Sequence, residues 1–111
     1  MIFLHKAQKV MNEVQPSALV LDPADNVATL LSDADACMIV TLKGAPGCIA
    51  ALEAVSFGHK IAIQFIGTGE EVRKYGQTIG RATRNIAPGE WVHLHNMASA
   101  LDADFKKRID R

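Results

Sequence analysis

Three of the four histidines, His59, His93 and His95, fall in two stretches that also carry other polar groups. Glu90-Trp91-Val92-His93-Leu94-His95-Asn96 reads as a strand, and on extended backbone residues two apart face the same side. The imidazoles of His93 and His95 then share one face, with Val92 and Leu94 opposite and the amide of Asn96 following. Such a pair can hold a metal ion with further ligands from elsewhere, or serve as an acid and a base. Two histidines on the solvent face of an edge strand satisfy the same spacing. The second stretch is Gly58-His59-Lys60. A loop-borne His-Lys pair can recognise a carboxylate, lysine by charge and histidine by a donated hydrogen bond; ordinary surface polarity accounts for it as well. Lys74-Tyr75-Gly76 adds a cation, the only tyrosine in the chain and a glycine that permits close backbone approach.

Other chemistries are excluded by what is missing. Gly67-Thr68-Gly69 lacks the third glycine of a dinucleotide fingerprint, because position 72 is Val, and no Gly-Lys-Ser/Thr phosphate loop occurs. No G-x-S-x-G elbow is present, and Cys48 beside Gly47 has no neighbouring base, so a hydrolase triad has no support. Cys37 and Cys48 form no C-x-x-C and are expected to be small buried thiols in a reducing compartment. Twelve Lys+Arg balance twelve Asp+Glu, which argues against nucleic acid or an anionic membrane surface as the main partner. No apolar run approaches the ~20 residues that span a bilayer. The opening MIFLHKAQKVMNEV places apolar residues before charges and has no small-residue cleavage site, so a cytoplasmic location is expected.

The elements that must position these groups are short. At 111 residues the chain is one domain's worth of polymer. A domain of this size buries only about two-thirds of its unfolded surface, enough for one core but hardly for a deep active site as well. A pocket shared with another chain is the easier route to catalysis. Residues 1–16 form an N-terminal appendage ending at Pro16, and 98–111, with Leu101, Phe105 and Ile109 at four-residue spacing, suit a short helix or tail. Between them, residues 17–97 alternate short apolar runs with Gly and Pro turns. Ala18–Leu21 and Met38–Leu42 read as strands, and Lys60–Ile66 reads as the clearest strand, with Ile61, Ile63 and Phe65 on one face. Val27–Leu31 fits either a strand or a short helix capped by Asp25 or Asn26, and Cys48–Val55 has helical propensity. No internal repeat is evident. Many short strands broken by Gly and Pro predict a compact, mostly-β fold.

Between about Val20 and Asn96 several separate motifs occur in a particular order. They are Asp25-Asn26-Val27-Ala28, Gly58-His59-Lys60-Ile61-Ala62, Gly69, Val72, Lys74-Tyr75-Gly76, Ile79-Gly80, Ala82, Ile86 and Gly89-Glu90-Trp91-Val92-His93-Leu94-His95-Asn96. Together they resemble the SAF-type domain of the altronate and galactarate dehydratases, and the similar small subunit of sulfolactate sulfo-lyase. The resemblance implies a β-clip (SAF-like) fold with short helical appendages. It implies a small subunit that completes the active site of a separate large catalytic dehydratase subunit, since the chain stops soon after the matched region. The implied reaction is dehydration of a sugar acid or hydroxy acid: loss of the proton beside the carboxylate, loss of the neighbouring hydroxyl, and ketonisation. A sulfo-lyase would release sulfite instead of water, and a free-standing hydroxy-acid-binding module is a further alternative. The implied cofactor is a divalent metal, Fe2+ or Mn2+, shared with the large subunit. Carried onto this chain, the resemblance gives His59, His93 and His95 as catalytic groups, with His93 and His95 as metal ligands. Lys60, Lys74, Tyr75, Gly76 and Asn96 would bind substrate. Exposed edges in a small β domain also make a homo-oligomer an expected possibility.

Overall fold

The computed structural model describes residues 15–100. Among the described residues the nine elements are all strands: β1 (Ser17–Leu19), β2 (Val27–Leu30), β3 (Ile39–Lys43), β4 (Cys48–Ala50), β5 (Lys60–Ala62), β6 (Glu71–Lys74), β7 (Gln77–Ala82), β8 (Trp91–Val92) and β9 (Met97–Ser99). They form a six-stranded sheet in the order β4-β3-β1-β2-β5-β8 and a three-stranded sheet in the order β6-β7-β9. Only β1 and β3 run parallel, with Ser17 opposite Thr41; the other pairs are antiparallel. The expected mostly-β architecture is observed. The appendages expected at 1–16 and 98–111 lie outside the described residues, save for their inner ends. There Pro16 is buried, and residues 97–99 pair with β7.

At its centre, on β2 and β5, the six-stranded sheet is covered on both faces, and this explains why β2 was ambiguous as a sequence. Successive side chains on a strand point to opposite faces. On β2 and β5, Ala28, Leu30 and Ile61 pack into one cluster with Ala18, Val20, Val40 and Val55. Their neighbours Val27 and Ala62 pack into a second cluster with Ile66, Val72, Ile86, Val92 and Met97. A strand covered on both sides carries no polar alternation to identify it. Cys48–Val55 is not helical: β4 takes its first three residues and pairs with β3. The strand expected over Lys60–Ile66 stops at Ala62, and Phe65 is 59% exposed while Ile66 is buried, so Phe65 shares no buried face with Ile61. Both cysteines are free and exposed rather than buried. Cys48 lies on the outer hairpin β3–β4, and Cys37 projects from a turn.

That turn recurs four times, although the sequence offers no visible repeat. Ala34 pairs with Val55, and Ile66 with Ile86, as isolated antiparallel bridges. Three residues beyond each of the four comes a residue with positive φ: Cys37 at 73°, Gly58 at 82°, Gly69 at 85° and Gly89 at 94°. The amide of each donates to a carbonyl of a neighbouring segment, at Ala51, Leu30, Ala82 and Ala62 respectively. The copies share only one small or branched apolar residue and one left-handed residue, too little to register as a repeat.

Two adjacent polar side chains join the sheets. Asn26 accepts from Arg73 N through Oδ1 at 2.7 Å and donates to Glu71 O through Nδ2 at 2.8 Å. Its backbone also pairs with Arg73, so its side chain extends the ladder onto β6. The Asp25 carboxylate accepts from Leu21 N, Asp22 N and Gly76 N at 3.2, 3.2 and 2.8 Å. Neither residue caps a helix.

Candidate functional site

The site forms where β8 lies antiparallel to β5, with Lys60 opposite Val92 and Ile61 opposite Trp91. His59 ends the turn that opens β5, its amide donating to Ser56 O at 3.0 Å. The indole Nε1 of Trp91 donates to Nδ1 of His59 at 3.2 Å. Beyond Val92 the chain leaves the sheet, because Asn96 closes a turn on itself. Its Oδ1 accepts from His93 N at 2.9 Å, its Nδ2 donates to Trp91 O at 2.8 Å, and its own amide donates to His93 O at 3.1 Å.

This turn corrects the expected strand over 90–96. His93 and His95 do not lie on alternating extended backbone; Val92 is buried while Leu94 is 66% exposed. The turn nevertheless brings both imidazoles to the same indole. His93 stacks on Trp91 with ring centroids 5.2 Å apart and planes 10° from parallel, and His95 tilts against it at 4.9 Å. His59 meets His93 at 5.4 Å and Trp91 at 5.7 Å. His59 and, more than thirty positions later, His93 and His95 thus surround one tryptophan, the only one in the chain.

Lysines border this cluster. Burial lowers the pKa of the half-buried Lys60, and the positive charge of Lys74 lowers it further. Lys60 opens β5 and Lys74 ends β6, which belong to different sheets. Lys74 Nζ also lies 5.1 Å from the centre of the Tyr75 ring, a cation–π distance. Burial lowers the pKa of His93 as well, with smaller contributions from Lys60, His59 and His95. All of these neighbours disfavour a further positive charge, so the neutral form of His93 is favoured.

The remaining expected site residues have structural occupations. Asn96 is buried and its amide is engaged by the turn, so it holds His93 and Trp91 in place. Tyr75 and Gly76 form the two-residue connection between β6 and β7, with Lys74 opposite Gln77. Their φ values of 55° and 78° are those of a type I′ hairpin turn. Gly76 is occupied with backbone geometry, its amide bound to Asp25, and a Cβ there would lie 3.0 Å from Asp22 Oδ2. Sequence reasoning passed over Trp91, whose signal was a lone tryptophan two residues before a His-x-His. It also passed over the role of Asp25 and Asn26, whose only signal was their presence in the resembling motif.

Among the described residues, no three His, Cys, Asp or Glu side chains converge so as to hold a metal ion. His59 Nδ1 is taken up by the Trp91 indole, and Lys60 contributes positive charge beside His93. The described residues supply no complete metal site by themselves; a metal held by His93 and His95 would take its other ligands from outside them.

A family model described as the altronate/galactarate dehydratase SAF domain matches residues 16–100. The chain is 38% identical over 77 residues to an altronate dehydratase of Escherichia coli, covering 69% of this chain and 15% of that protein. It is 46% identical over 44 residues to an altronate dehydratase of Bacillus subtilis, covering 40% of this chain and 9% of that protein. It is 44% identical over 45 residues to the (2R)-sulfolactate sulfo-lyase subunit alpha of Chromohalobacter salexigens, covering 40% of this chain and 48% of that subunit. The aligned part is therefore less than half of each of these relatives. Among the described residues no helix is long and apolar enough to cross a membrane.

Proposed function

Because this chain belongs to the family of altronate/galactarate dehydratase SAF domains, we propose that it is the small subunit of a sugar-acid hydro-lyase, completing the active site of a separate large catalytic subunit. We read the two curled sheets as the β-clip of that family. The observation that carries the reading is the gathering of His59, His93 and His95 around Trp91, with Lys60 beside them. A proton beside a carboxylate is weakly acidic, and its removal places negative charge on the carboxylate oxygens. Lys60 and Lys74 are the groups that offset this charge. His93 is held neutral and has a lone pair with which to take the proton. Loss of the neighbouring hydroxyl and ketonisation then give a 2-keto-3-deoxy acid.

A second reading, the small subunit of a sulfolactate sulfo-lyase, is favoured by the larger share of that relative that aligns, 48% against 9% and 15%. The same residues would act, with sulfite as the leaving group.

The test is an anaerobic affinity pull-down of the tagged chain from its source lysate, followed by turnover assays on altronate, galactarate and (2R)-sulfolactate. A stoichiometric dehydratase-like large subunit supports the reading. His93→Gln and Lys60→Met should then assemble normally and lose about 100-fold or more in turnover, the scale of a positioned acid–base or charge-stabilising group. Full turnover in both variants would make the chain an adaptor outside the active site. Recovery of the chain alone, with hydroxy acid binding to it directly, would make it a free-standing binding module.

A further inference from the structure

We propose that Trp91 is a positioning residue that fixes the tautomer of His59, so that His59 meets a bound carboxylate as a hydrogen-bond donor and not as a base. An indole N–H can only donate. The nitrogen facing it at 3.2 Å, Nδ1 of His59, must therefore carry the lone pair. A neutral imidazole has one proton, which then resides on Nε2. Among the described residues Nε2 of His59 has no hydrogen-bond partner, so its N–H is left for a ligand. An imidazolium would set N–H against N–H and break the contact with Trp91. The two edges of this ring thus have different duties: one is tied to the fold and the other presents a proton.

The backbone supports the same assignment. Trp91 is held on β8 opposite Ile61, its carbonyl by the Asn96 side chain and its amide by Glu53 Oε2 at 3.1 Å. Its ring is held by His93 stacked on it. The donor is therefore fixed from three sides before any ligand arrives, as preorganised stabilisation of an anion requires. The consequence for the histidines is a division of labour that their spacing left open. His59 donates, and the proton beside the carboxylate falls to His93. The tautomer stands on geometry alone, whereas the donor's duty towards substrate rests on the function proposed above.

Two measurements separate these layers. In the full 15N-labelled chain at pH 8, nitrogen-detected NMR should place the neutral proton of His59 on Nε2 and show scalar coupling between Trp91 Nε1 and His59 Nδ1. Trp91→Phe keeps an aromatic face for His93 and should release His59 to populate both tautomers. A proton on Nδ1 in the unsubstituted chain, or no coupling to the indole, overturns the proposal whatever the enzyme turns out to be. In the complex with the large subunit, His59→Gln supplies an N–H near the position of Nε2 without a basic nitrogen. It should stay within about tenfold of full turnover while His59→Ala falls about 100-fold or more, the scale of one lost donor. Equal losses in both variants, with the tautomer confirmed, would refute the donor role and leave the positioning contact standing.

Discussion

Replacing Asn96 by alanine should destabilise the domain rather than merely weaken ligand binding. The side chain is 1% exposed and makes two hydrogen bonds inside one turn, from His93 N at 2.9 Å and to Trp91 O at 2.8 Å. Alanine leaves that amide and that carbonyl without these partners in a turn whose Asn96 O accepts from Thr83 N, just beyond β7. Each unsatisfied group costs ~1–3 kcal/mol when buried, so two groups at the lower half of that range cost ~3 kcal/mol together. For a domain of this length 1 kcal/mol moves Tm by ~4–8 °C, so the variant should melt roughly 12–24 °C lower. Circular dichroism against temperature reads this directly, with a urea titration as a check on two-state behaviour. Asn96→Asp keeps the acceptor for His93 N and loses the donor to Trp91 O, and it should also lose stability because it buries a charge. A Tm within about 4 °C of the parent for the alanine variant, on the same scale, would refute the reasoning. The two hydrogen bonds of the Asn96 side chain would then contribute little to folding.

Four further outcomes are expected. Thr29 lies opposite Lys60 in the sheet, and its Oγ1 is buried without a hydrogen-bond partner, so Thr29→Val should stabilise by about 1 kcal/mol in chemical denaturation. Cys37 adopts φ 73° at a turn position where the other three copies have glycine. Cys37→Gly removes ~1–2 kcal/mol of left-handed strain against ~0.5–1 kcal/mol of added chain entropy, and Tm should rise by a few degrees. Gly89→Ala should do the opposite and lose at least ~2 kcal/mol, because φ is 94° and the new Cβ would sit 2.2 Å from Ala50 O. Burial raises the Asp25 pKa, but the amides of Gly76, Leu21, Tyr75 and Asp22 outweigh it and hold the carboxyl below its ordinary 3.8. A depressed carboxyl contributes stability above its unfolded value and loses it as pH falls through the folded one. The urea midpoint should therefore drop from about pH 5 downwards, and Asp25→Asn should flatten that acid limb.

The strands at Ala18–Leu19, Ile39–Leu42 and Lys60–Ala62 were legible because β-branched or apolar runs between Gly, Pro and Asp leave few other local structures. β2 was not, since burial on both faces removes the alternation that distinguishes strand from helix. Phe65 was misplaced because strand length depends on where β8 stops pairing with β5, which is a tertiary fact. The thiols of Cys37 and Cys48 were expected inside because cysteine is usually buried. A left-handed turn and an outer hairpin put them outside.

The residue types alone determined that the fold would be built from short strands, and they singled out lysines and histidines as candidates for chemistry. The tight turn that joins β6 and β7 was not legible, because Tyr75 holds a positive φ of 55° at a position where Asn, Asp or Gly would have signalled it. Tertiary structure decided which groups meet. His93 and His95 are together because Asn96 folds a turn back onto Trp91, and not because they alternate on a strand. His59 joins them only because β5 and β8 pair, and Lys74 reaches the influence of Lys60 across two sheets. Spacing along the chain fixes neighbours within a few residues. Contacts between segments thirty positions apart arise only when burial of two apolar faces brings the strands that carry them into register.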